Sequence, residues 1–99
     1  MNINEILAEL DKMLENCEIE RAGAYLAEQT DKALSSSENS AAITLLNEQI
    51  GYFRDCGKFK ESLAACEKVL ALIQKCGLEN TPKHATTLLN AANAYRAAG

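Results

Sequence analysis

Apolar residues recur along the chain at steps of three and four, with charged residues between them, a spacing that predicts amphipathic helices almost from the first position. Ile3, Ile6, Leu7, Leu10, Met13 and Leu14 form one stripe, with Glu5, Glu9, Asp11, Lys12 and Glu15 opposite. Asn2 is placed to cap this helix, and Glu5 follows three residues later as its reciprocal partner. A second helix is expected over about 18–34, with Ile19, Ala22, Tyr25, Leu26 and Ala33 inward. The polar stretch 35–40 (SSSENS) breaks the pattern and supplies caps for a third helix through Ile43, Leu46, Ile50 and Phe53. Gly57 ends that helix, because glycine enters the left-handed terminal conformation without strain. A fourth runs through Phe59, Leu63, Cys66, Leu70 and Ile73 to Gly77. Thr81-Pro82 opens a fifth, expected to turn Ala85, Leu88, Ala92 and Tyr95 inward. Short links between helices force neighbours to pack antiparallel. The expected class is all-α, an array of about five helices in antiparallel hairpins.

Composition narrows the picture further. The chain has 99 residues, so there is room for one small domain. With one Pro, five Gly and no Trp, a core of Leu, Ile and Ala in packed helices fits better than a turn-rich β-sandwich. The formal net charge of −4 and the lack of a basic cluster argue against nucleic acid as a partner. No apolar run approaches the ~18 residues of a membrane span, and the N-terminal sequence does not read as a signal peptide. Cytoplasmic residence is the expectation. Cys17, Cys56, Cys66 and Cys76 have no zinc or redox spacing, and they read as free thiols serving as small apolar residues.

Sliding the chain against itself reveals a repeat. Leu46, Ile50, Phe53 and Gly57 recur 42 residues later as Leu88, Ala92, Tyr95 and Gly99. Shifted back by 40, Ile6, Leu10, Met13, Ile19, Ala22 and Leu26 fall on Leu46, Ile50, Phe53, Phe59, Ser62 and Cys66. Each unit is a helix, a tight turn and a second helix, and such a unit needs neighbours to cover its apolar faces. The segment 45–72 (LLNEQIGYFRDCGKFKESLAACEKVLAL) resembles a tetratricopeptide repeat. The family's helix-A aromatic is matched by Phe53, its turn glycine by Gly57, its following aromatic by Phe59 and its late aliphatics by Val69 and Leu70. Ser62 stands at its small position, and Cys66 where a large apolar residue is common. The segment 77–99, at its 42-residue spacing, is similar to the longer repeats of the kinesin light chain type. In the first unit Met13 replaces the aromatic and Cys17 the turn glycine.

The resemblance implies one α-solenoid domain over 1–99, with repeats at about 3–40 and 43–80 and the first helix of a third at 85–99. Right-handed superhelical stacking would follow. The alanine-rich end, lacking the polar outer face of a terminal repeat, leads to the expectation that the chain is a fragment of a longer protein.

Nothing in the sequence assembles a catalytic constellation. His84 is alone, and there is no phosphate loop, nucleophile elbow or metal-ligand pair, so neither enzyme activity nor a cofactor is expected. The resemblance implies a protein–protein interaction module that holds a partner's peptide segment in a concave groove. Outside the expected buried stripes the groove would use Asn47, Arg54, Asn90, Asn93 and Arg96. An amide can both donate to and accept from a peptide backbone, and the two arginines could attract an anion. The competing reading is a structural spacer or self-association element of a larger, regulatory protein, with the C-terminal end packing on further repeats or on another copy.

Overall fold

A helix that reverses direction within three residues needs one residue in the left-handed backbone region, and this chain places such a residue every twenty positions. The computed structural model describes residues 1–99 and contains five helices and no strand. They are α1 (Ile3–Glu15), α2 (Ile19–Ser35), α3 (Asn39–Asp55), α4 (Phe59–Lys75) and α5 (Pro82–Ala98). Cys17, Ser37, Gly57 and Gly77 have φ of 58°, 57°, 73° and 68°. Around each, two backbone bonds tie the turn to the preceding helix. The N–H groups of Glu18, Glu38, Lys58 and Leu78 donate to the carbonyls of Met13, Ala33, Phe53 and Ile73 at 2.8–3.0 Å. The N–H groups of the four left-handed residues donate to Leu14, Leu34, Arg54 and Gln74. This pair of bonds is the Schellman arrangement, which satisfies carbonyls that a helix end otherwise leaves open.

Because the turns repeat at one interval, helix positions repeat at that interval too. Ile6, Leu26, Leu46 and Cys66 are all buried, and so are Ala22, Ala42 and Ser62 in the first turns of α2, α3 and α4. Leu10, Thr30 and Ile50 form a third buried set. Ser62, the one polar member of the small-residue set, donates its hydroxyl to the Ile50 carbonyl at 2.8 Å and so links α4 to α3. Thr30 satisfies its own hydroxyl on the Leu26 carbonyl one turn earlier.

Successive helices up to α4 therefore share one register at an interval of twenty residues, half the length of the hairpin repeat. The serine-rich stretch is also no long break: α2 continues through Ser35, and three residues later α3 has begun. Asn2 caps α1 as expected, accepting from the Glu5 N–H. The Met1 ammonium pairs with Glu38 at 2.9 Å, and that contact, with the Ser36 hydroxyl beside it, lowers the Glu38 carboxyl below its ordinary pKa.

Internal contacts gather into two compact units, Met1–Leu45 and Leu46–Gly99, the division falling inside α3. In the first, α1 packs on α2 as a hairpin over Ile6, Leu10, Met13, Leu26 and Ala33. In the second, α4 packs on α5. No helix is long and apolar enough to cross a membrane.

The fifth helix differs from the sequence reading. After Leu78 the twenty-residue interval is broken by Glu79, Asn80 and Thr81. Asn80 takes φ 64°, its N–H donates to His84 Nδ1 at 3.0 Å, and the Thr81 hydroxyl caps α5. His84 is thus a half-buried brace of this loop. The buried face of α5 is Thr87, Ala91 and Ala94, while Ala85, Leu88, Ala92 and Tyr95 are exposed. Burial in α5 follows α3 at a spacing of 41, not 42, and one residue rotates a helix by about 100°. The small face is the one that lets α5 approach its neighbours closely, and Thr87 can lie inside because its hydroxyl is bonded.

Cysteines follow their positions rather than one role. Only Cys66 is buried, Cys17 and Cys56 are exposed, and Cys76 is intermediate; all four are free. Burial raises the Cys66 thiol above its ordinary pKa, which lowers its thiolate fraction and adds to steric protection. Iodoacetamide on the native protein is expected to modify Cys17 and Cys56 first and Cys66 only under denaturing conditions, as read by peptide mass mapping. Native labelling of Cys66 at the rate of Cys17 would contradict the packing.

The left-handed positions give a second test. A side chain in that region costs about 1–2 kcal/mol, offset by the roughly 0.5–1 kcal/mol of extra chain entropy that glycine loses on folding. Cys17→Gly and Ser37→Gly should each stabilise the fold by about 0.5 kcal/mol, raising Tm by roughly 2–4 °C. Gly57→Ala should lower Tm, although a Cβ there meets nothing within 4 Å. Calorimetry on the three variants measures the sign.

Candidate functional site

Two of the five residues singled out from the sequence meet each other. Asn47, on α3, and Asn90, on α5, are half-buried, and Asn90 Nδ2 donates to Asn47 Oδ1 at 2.9 Å. Asn47 Nδ2 in turn donates to Thr87 Oγ1 at 2.9 Å, and the Thr87 hydroxyl donates to the Lys83 carbonyl at 2.8 Å. The result is a directional chain of three hydrogen bonds, each group giving one proton to the next. It explains how Thr87 can be fully buried, and it ties α3 to α5. Nothing in the sequence marked Thr87 as part of it. The signal available was the second of two adjacent threonines, with Asn47 forty residues earlier.

The other three residues are arranged around this tie. Asn93 is half-buried on α5, three residues beyond Asn90 and so on an adjoining part of the same face. Arg54 lies in the last turn of α3, seven residues from Asn47 and on its side of the helix. Its Nε is 3.4 Å from Asp55 Oδ1, with the side chain 30% exposed. Arg96 lies in the last turn of α5 and is exposed. Two successive chain reversals make α3 and α5 run in the same sense, so both arginines stand at the carboxyl ends of their helices, where a cation is favoured by the helix dipole. The burial register of α5 puts Tyr95, not Arg96, at the position equivalent to Arg54, so the two guanidinium groups are not related by a simple repeat.

Between Asn47 and Arg54, one turn from each, lies Gly51. A Cβ built there would meet only Arg54 Nη2, at 3.8 Å, an ordinary contact. No packing demand requires glycine at this place, and it leaves the α3 backbone open between an amide and a guanidinium group. The face thus offers amide donors and acceptors, two cations and a notch; it holds no buried acid, base or nucleophile aligned for catalysis.

Comparison of the chain with known protein families, with curated proteins and with solved structures finds no match.

The hydrogen-bonded chain makes a stability prediction. Asn47→Ala removes the donor and Thr87→Val the acceptor of the bond between them; each should cost about 1–2 kcal/mol. The double variant should cost clearly less than the sum, because both changes break one shared bond. Urea unfolding of the four proteins gives the coupling. Strict additivity would mean that the bond does not form.

Proposed function

We propose that the chain is a protein–protein interaction module of the tetratricopeptide type, binding an extended peptide segment of a partner along the face of α3 and α5. The observation that carries this reading is Gly51, a helix-interior glycine with room for a Cβ, flanked on one face by Asn47 and Arg54. Mid-helix glycine costs roughly 0.5–1 kcal/mol relative to alanine, and close approach of a ligand backbone is a use that offsets that cost. The helical hairpins, the small residues at the first turns and the resemblance of 45–72 support the same reading.

In this account Asn90 and Asn93 hydrogen-bond the peptide backbone, and Arg54 and Arg96 hold an acidic group at the carboxyl ends of α3 and α5. Asn47 acts mainly by fixing Asn90, since its carbonyl oxygen already accepts from that side chain. No cofactor and no turnover enter the scheme. Free thiols at all four cysteines are in keeping with a reducing, cytoplasmic setting. Stacking of the hairpins into a right-handed solenoid, and membership of a longer repeat protein, belong to the same proposal.

The test begins with peptides selected from a random display library on the intact protein. Arg54→Ala with Arg96→Ala should weaken the selected acidic peptides at least tenfold while Tm stays nearly unchanged. Gly51→Ala should raise stability by about 0.5–1 kcal/mol and still weaken binding. Equal binding by both variants would defeat the assignment.

A further inference from the structure

Helix α5 carries two apolar faces and covers one. Thr87, Ala91 and Ala94 are inside, whereas Leu88 is 49% exposed, Leu89 63% and Tyr95 52%. Ala85, Leu88, Ala92 and Tyr95 follow steps of three and four, so they form a continuous stripe along the outside of the helix. Isolated exposed apolar residues are ordinary; a whole stripe with two leucines and a tyrosine marks an interaction surface.

Charge indicates what fits it. Helix α5 contains Lys83 and Arg96 and no acidic residue, and Arg96 directly follows Tyr95 at the edge of the stripe. Two α5 helices paired symmetrically would bring these cations together with nothing to offset them. Helix α1 has the opposite character: Glu5, Glu9, Asp11 and Glu15 against Lys12 alone. It too has a second apolar stripe. Beside the buried Ile6, Leu10 and Met13 lie the half-buried Ile3 and Leu7 and the exposed Leu14, bordered by Asp11 and Glu15.

We propose that α5 of one copy docks on α1 of a second copy, Leu88 and Tyr95 meeting Leu7 and Leu14 while Arg96 faces Asp11 and Glu15. This contact joins different surfaces of identical chains, and the rotation between copies decides whether it closes or runs on. The surface is a single helix face, so the association is weak and transient, and its charged border makes it sensitive to salt.

Sedimentation velocity on the intact chain, from about 10 μM to about 1 mM, reads the outcome. The expected result is a weight-average mass that rises above that of the monomer with concentration and falls in high salt. Leu88→Glu and Leu14→Glu should each abolish self-association alone, yet form a one-to-one complex when mixed, since each retains the surface that the other lacks. Circular dichroism checks that both remain helical; if Leu14→Glu does not fold, the exposed Asp11→Lys takes its place in the mixture. A chain monomeric at every concentration, unchanged assembly of Leu88→Glu, or no complex between the two variants when mixed would each overturn the proposal. Arg96 belongs to both proposals and is unchanged in these variants, while Leu88, Leu14 and Asp11 lie outside the residues assigned to peptide capture, so loss of self-association with peptide capture intact, or the reverse, separates the two.

Discussion

The structure depends on one backbone constraint: a three-residue reversal whose middle residue lies in the left-handed region, closed by two hydrogen bonds to the last turn of the helix before it. The reversal fixes where one helix stops and where the next starts, and hence which side of each helix is turned inward. Placed at 17, 37, 57 and 77, it imposes a common register on successive helices. The apolar residues then need to match that register and little else. Leu10, Ile50 and Thr30 occupy corresponding buried places despite their different chemistry, because the threonine can return its hydroxyl to its own helix. Small side chains at 22, 42 and 62 follow the same register, since each lies in the first turn after a reversal and is fully buried.

Where the interval fails, the surface changes character. Three extra residues before α5 bring in a separate cap, a brace from His84 and a rotated helix. Rotation puts the alanine side inward and replaces bulky packing by close approach, with the Asn47–Thr87 bond supplying a directional link that alanines cannot. It also turns Leu88 and Tyr95 outward. The candidate peptide-binding face and the apolar stripe proposed for self-association thus both reflect one local insertion, and they adjoin on a single helix at Arg96.

Much of this was legible in the residues. The five helices, the Asn2 and Thr81 caps and the roles of Gly57 and Gly77 follow from periodicity and from the stereochemistry of helix ends. Two turns were harder to read, because Cys17 and Ser37 occupy a conformation that glycine advertises and other residues do not. The register of α5 was misread for a different reason: with apolar residues on two faces, hydropathy alone favours the bulkier one, and the decision rests on a hydroxyl finding partners forty residues away. The same contact was invisible in the candidate site. Asn47 and Asn90 were identifiable as exposed-type polar residues on helices, but their bond to each other depends on helix rotation, which no local pattern carries.

The hairpins display amides, guanidinium groups and an uncovered apolar stripe, the features on which the proposed recognition role rests. The account rests on the four reversals, and amide hydrogen exchange followed by NMR examines them most directly. The N–H groups of Glu18, Glu38, Lys58 and Leu78 lie in exposed or half-exposed turns, so without their bonds to the preceding helix they would exchange nearly as fast as in an unstructured peptide. The account predicts that all four are protected, at levels approaching those of neighbouring helix amides. Exchange at unprotected rates for the amides of Glu18 and Glu38 would contradict the common turn, and with it the register built on it.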